Sequence, residues 1–157
     1  MLIKICGITR FQDAKMAIEK GATHLGFIFH PNTPRNITLK KAKTIINKIR
    51  DDFSNLNIII TGVFVDQNLE SIKNYLSELK LGCVQLHGKS AKDNLEDLKD
   101  LKDIDIRMLY VIDIIDGVID DIDKKNLKFL SEDDFVLFDL PKNNLKEIAT
   151  QASPTRN

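Results

Sequence analysis

The sequence predicts an α/β fold of repeated strand–helix units, and three observations carry that reading. Short β-rich apolar runs alternate with longer amphipathic stretches rich in Lys, Glu and Asp. The run centres fall at near-regular spacing, close to residues 4, 26, 61, 84, 109 and 137. Polar side chains collect at the C-terminal ends of several runs, where barrels and open α/β sheets build their sites.

The strands are expected at residues 2–5, 25–29, 58–65, 83–86, 106–111 and 135–138. Helices are expected at 11–19, 39–49, 69–79 and 91–101, with a vaguer pattern around 118–130. Their spacing is right: Ile72, Tyr75, Leu76 and Leu79 recur at i, i+3, i+4 and i+7. Thr9, Thr38, Asn68 and Ser90 each precede a helical run as N-cap types, and Ser90 with Asp93 approximates a capping box. Gly21 sits where the first helix should end.

Six strands alternating with five helices read as parallel βαβ units. A (β/α) barrel of eight units typically takes about 200–250 residues. The 157 residues here have room for about six of the eight. An open flavodoxin-like sheet is the other arrangement these units allow. A possible helical turn follows residue 143, and the polar stretch 151–157 reads as a disordered tail. No linker or repeat divides residues 1–157, so a single domain is expected.

Composition narrows the setting. Hydrophobic residues make up 43% and charged residues 29%, an ordinary globular balance. Lys plus Arg and Asp plus Glu stand at 23 each, so no net field recruits nucleic acid or an anionic membrane. No apolar run approaches the roughly 18 residues of a membrane helix, and MLIKICGITR is too charged for a signal peptide. Cys6 and Cys83, the two cysteines, form neither a disulfide framework nor a Cys-x-x-Cys zinc motif. A reducing cytoplasm is the expected location.

The strand ends supply the candidates. Cys6 closes the first strand and Gly7 follows, a residue that permits a sharp turn and close ligand approach. A thiol at such a rim serves as base or nucleophile beside a positive group; for a lone Cys a small buried hydrophobe is the commoner reading. Gln85 and His87 share one face at the end of the fourth strand, where core packing alone would not choose them. Asp139 ends the sixth strand after four apolar residues, suited to a general acid or, with Pro141 beyond it, to a helix N-cap. The loop Pro31-Asn32-Thr33-Pro34-Arg35 presents Arg35 on a stiffened backbone, fit to grip a carboxylate. His24 and His30 lack any spacing to partners that suggests a metal.

The order of these motifs is more specific than any one of them. KICGIT, LGFIFHPNTPR, TGVFV, VQLHG and VLFDLP follow one another in an order and spacing that resembles the phosphoribosylanthranilate isomerases of tryptophan biosynthesis. The resemblance runs from about Leu2 to Asp139. It implies a (β/α) barrel of the TIM type, incomplete here, and an Amadori rearrangement without metal or cofactor. N-(5-phosphoribosyl)anthranilate would become 1-(2-carboxyphenylamino)-1-deoxyribulose 5-phosphate. By position, Asp139 matches the general acid and Cys6 the general base. Arg35 matches the grip on the anthranilate carboxylate, and His87 matches a residue lining the substrate pocket; Gln85 and Gly7, from their own place at the strand ends, are expected to bind substrate beside them.

The resemblance also implies what should follow Asp139: a Gly-rich segment and two further strands whose loops hold the phosphate. The last of the seven glycines is Gly117. The expectation is therefore a C-terminally truncated isomerase, with an inactive or split-barrel remnant as the alternative. Unpaired edges on the first and sixth strands would then allow self-association.

Overall fold

The structure, a computed structural model, describes residues 1–88, 106–114 and 118–139. In chain order it contains β1 (Lys4–Cys6), α1 (Phe11–Glu19), β2 (His24–Ile28), α2 (Leu39–Asp52), β3 (Ile59–Val65), α3 (Leu69–Leu79), β4 (Cys83–His87), β5 (Arg107–Asp113), α4 (Asp121–Asn126) and β6 (Phe135–Asp139). A 3₁₀ turn, Leu127–Phe129, continues α4. The helix expected at 91–101, its cap at Ser90, Gly117, Pro141 and the tail from 143 lie outside the described residues.

All five strand pairings are parallel, and the spatial order is β1-β2-β3-β4-β5-β6. A flavodoxin-like sheet reverses direction at a switch point; here every strand adds to the same side. The sheet also curls. Nζ of Lys4 on β1 reaches Oε1 of Gln85 on β4 at 2.7 Å. The rings of His24 on β2 and Phe135 on β6 meet edge-on, 5.9 Å apart. In a flat sheet those two strands would stand about 19 Å apart, four spacings of about 4.8 Å. The architecture is a curled (β/α) half-barrel, and the open-sheet alternative is excluded.

Alternation along the strands sorts the side chains. The outer face (Leu25, Phe27, Ile60, Phe64, Val84, Leu86, Tyr110, Ile112) packs against Ala14 and Ile18 of α1, Ile45, Ile46 and Ile49 of α2, and Ile72, Leu76 and Leu79 of α3. Burying each such aliphatic side chain stabilises by roughly 1.5–3 kcal/mol. A separate inner cluster of Cys83, Leu109 and Val111, with Ile59 and Phe135 against it, fills part of the concave side.

Local signals explain most element ends. Thr38 accepts from the Lys41 N–H and Asn68 from the Ser71 N–H, both as N-caps. Helix α1 closes in a Schellman pattern: Ala22 N–H donates to Ala17 O and Gly21 N–H to Ile18 O, with Gly21 at φ +92°. Two expectations are corrected. The N-cap of α1 is Arg10 rather than Thr9; it makes no side-chain cap bond, and instead its guanidinium grips Asp13 in the first turn. Strand β1 runs from Lys4 to Cys6 rather than over 2–5, because its pairing begins opposite His24. The vague pattern at 118–130 resolves into α4 and its turn, capped by Asp120. Buried Asp123 and Asn126 pin this element to β5 through the Tyr110 hydroxyl, which donates to Asp123 and accepts from Asn126.

Candidate active site

The C-terminal ends of the strands form the mouth of the half-barrel. At the end of β1 the N–H groups of Gly7 and Ile8 both donate to the carbonyl of Gly26 in the middle of β2, each at 2.9 Å, and turn the chain there. Gly7 adopts φ +90°, and the side-chain stem of Arg35 packs where its Cβ would stand: that point lies 2.6 Å from Arg35 Cδ. The proline loop returns on itself to place Arg35. Asn36 N–H donates to Thr33 O, and Ile37 N–H donates to Ile28 O at the end of β2. Arg35 itself is exposed. Cys6, Gly7 and Arg35 are thus brought together.

Beneath them, Cys6 is half-buried and a free thiol. A Cβ on Gly26 would stand 2.8 Å from Cys6 Sγ and 3.2 Å from Lys4 Nζ, so thiol and ammonium border the same space. Lys4 leads onward to Gln85, which is buried, and Nε2 of Gln85 contacts Nε2 of His87. Lys4, Gln85 and His87 therefore form a polar chain running up the inner face from β1 to the end of β4. Beside it Asp66, in the left-handed region at φ +52°, sets its carboxylate against Gly88, and its N–H donates to His87 O.

Asp139 lies on the other edge strand, exposed, at the same end of the sheet. Its register neighbour is Asp113 on β5, so two carboxylates adjoin at the mouth. The carbonyl of Asp139 accepts from Ile114 N–H.

Deeper inside, burial governs the titrating groups. The Cys83 thiol is pushed up to about 11, chiefly by burial. His24, with Thr23 Oγ1 on its Nδ1, is held below its ordinary 6.5 by burial first and then by the positive Arg107 and Lys4. Among the described residues no cluster of three or more His, Cys, Asp or Glu could hold a metal. A polar cleft of about 370 Å³ lies at the opposite end, lined by Asn57, Arg107, Asp133 and Asp134 among others. There Asp134 accepts from the N–H groups of Met108 and Ser131, which is a structural role.

Sequence reasoning passed over Lys4, Gly26, Asp66 and Asp113. The signals were present: a Lys within a buried strand, and a Gly in a strand interior, which marks close approach of other atoms. Asp113 escaped because the fifth strand was expected to end at 111.

A family model described as N-(5'phosphoribosyl)anthranilate (PRA) isomerase matches residues 3–145. The chain belongs to the phosphoribosylanthranilate isomerase family. The isomerase of Bacillus cereus is 39% identical over 139 residues, 88% of this chain and 59% of that protein. The isomerase of Syntrophus aciditrophicus is 41% identical over 91 residues, 58% of this chain and 37% of that protein. The chain thus spans well under two-thirds of these curated relatives. Among solved structures, the isomerase of Thermotoga maritima superposes with a TM-score of 0.71 at 26% identity, covering 90% of this chain and 63% of that one. A phosphoribosyl anthranilate isomerase in complex with reduced 1-(o-carboxyphenylamino)-1-deoxyribulose 5-phosphate superposes at 0.70 and 25% identity, covering 96% and 71%. Family and half-barrel agree: six parallel strands in sequential order are part of the pattern of a (β/α) barrel.

Proposed function

We propose that this chain carries the acid–base machinery for isomerising N-(5-phosphoribosyl)anthranilate to 1-(2-carboxyphenylamino)-1-deoxyribulose 5-phosphate in tryptophan biosynthesis. The observation that carries the reading is the packing of Arg35 over Gly7 beside Cys6. It sets a carboxylate grip next to a candidate base at the strand ends. The ligand of the solved family complex, with its carboxyphenyl and phosphate groups, supports that use of the mouth.

Asp139 donates a proton to the ribose ring oxygen as the C1–O bond breaks, leaving an iminium ion. Cys6, as thiolate, removes the proton from C2, and the electron pair neutralises the iminium to give an enolamine. Tautomerisation of the enol yields the ketone. The net change is an internal hydrogen shift, so no cofactor is called for. General acid and base groups of this kind each contribute about 10²–10⁴-fold. Arg35 holds the anthranilate carboxylate, Gln85 and His87 line the pocket, and Gly7, by leaving room for the Arg35 stem, sets where that grip meets the substrate. We place this work in the cytoplasm, in keeping with two free thiols and no helix among the described residues long and apolar enough to cross a membrane.

A second reading, a remnant or one piece of a split barrel, is favoured by a different observation. Both edge strands expose apolar side chains: Ile5 on β1, and Val136, Leu137 and Phe138 on β6. Such edges suit self-association or a complementary segment. In the isomerase reading, phosphate binding would supply remote energy used at the reacting centre. The test is isomerase turnover by the 157-residue protein, alone and mixed with the C-terminal region of the Bacillus cereus relative. Little turnover alone is expected, with gain on mixing. Turnover that survives both Cys6→Ala and Asp139→Asn overturns the assignment, and none in either setting favours the remnant.

A further inference from the structure

Lys4 is half-buried on the inner face of β1, and its ammonium lies 2.7 Å from Oε1 of Gln85, three strands away. An ammonium is a donor only. The Gln85 oxygen must therefore face Lys4, which turns the amide NH₂ toward Nε2 of His87. An amide NH₂ is also a donor only, so that imidazole nitrogen accepts. A neutral imidazole accepting at Nε2 carries its proton on Nδ1. Valence decides each step, whatever hydrogens are drawn. Turning the amide over would aim NH₂ at a cation, and Gln85, being buried, has little water to relieve the mismatch.

We propose that Lys4 is a positioning residue of the site, acting through Gln85 to fix His87 in the Nδ1–H tautomer. In that form His87 offers a donor at Nδ1 and none at Nε2. In the isomerase reading this fixes which ring nitrogen of His87 donates at the mouth; the tautomer itself does not depend on that reading. The same ammonium and the Cys6 thiol border one space above Gly26.

Long-range ¹H–¹⁵N correlation spectra of histidine-labelled protein, taken at mildly alkaline pH, read the tautomer directly. The sequence holds three histidines, and His87→Asn identifies the signals of His87 by their loss. The wild-type protein is expected to show a protonated Nδ1 and an unprotonated Nε2. Gln85→Glu replaces the donor with an acceptor and is expected to move the proton to Nε2. Lys4→Met frees the amide to turn and is expected to give mixed tautomers, which Lys4→Arg restores to the wild-type form. Protonated Nε2 in the wild type overturns the proposal, as does a His87 spectrum that neither Gln85→Glu nor Lys4→Met alters. The wild-type spectrum decides even where a variant folds poorly. Turnover plays no part in the readout, so an inactive protein leaves the tautomer assignment standing, and an active one with the wrong tautomer defeats it alone.

Discussion

Arg35 rests its methylene stem on the bare backbone of Gly7, with Cδ only 2.6 Å from where a Cβ at that position would be. A loop after β2 is thereby keyed to a turn after β1, and the guanidinium takes its place from that contact.

Gly7→Ala should be costly on two counts. A side chain at φ +90° is strained, by about 1–3 kcal/mol, and the new methyl displaces Arg35. Urea unfolding of Gly7→Ala, Arg35→Ala and the double variant separates the two. The double variant is expected to recover the steric part, a coupling of about 0.5–3 kcal/mol for residues in contact. Strict additivity would show that the stem does not rest on Gly7.

The two thiols should differ sharply toward alkylation. With Cys83 pushed up to about 11 by burial, only about a thousandth of it is thiolate at pH 8. Cys6 is half-buried at the mouth. Iodoacetamide at that pH, followed by peptide mass spectrometry, is expected to label Cys6 at least about 100-fold faster than Cys83. In urea the two rates should converge. Equal labelling of the folded protein would place Cys83 nearer solvent than the fold does.

His24 links stability to pH with a definite sign. Its folded value lies below the 6.5 of an exposed imidazole, held there by burial and then by Arg107 and Lys4. Between the two values the unfolded chain binds the proton more readily, so stability rises with pH. The full contribution is present above about 6.5 and is lost as pH falls through the folded value. Urea midpoints from pH 5 to 8 should drop on the acid side, by at most about 1.4 kcal/mol per pH unit from this group. His24→Gln should flatten that slope. An unchanged slope would move the effect elsewhere.

How much of this was legible beforehand follows from the range of each interaction. Helices α1 and α3 were readable to the residue because apolar spacing and local caps such as Asn68 act within one or two turns. Gln85, His87 and Asp139 stood out because a strand flanked by helices has no packing reason to end in them. Lys4 and Gly26 did not, since their meaning depends on curvature that brings β4 across from β1. Nothing within β1 itself reveals how far a lysine must reach. Thr9 misled for a related reason: the Arg10–Asp13 pair holds the first turn of α1 without a side-chain cap.

The two apolar clusters leave the molecule unevenly tolerant of change. The larger one lies between helices and the outer sheet face, and it does not include Lys4, Cys6, Gln85 or His87. Exchanging those four side chains therefore leaves untouched the apolar layer that clamps the sheet to its helices, so the frame outlasts changes made at the mouth.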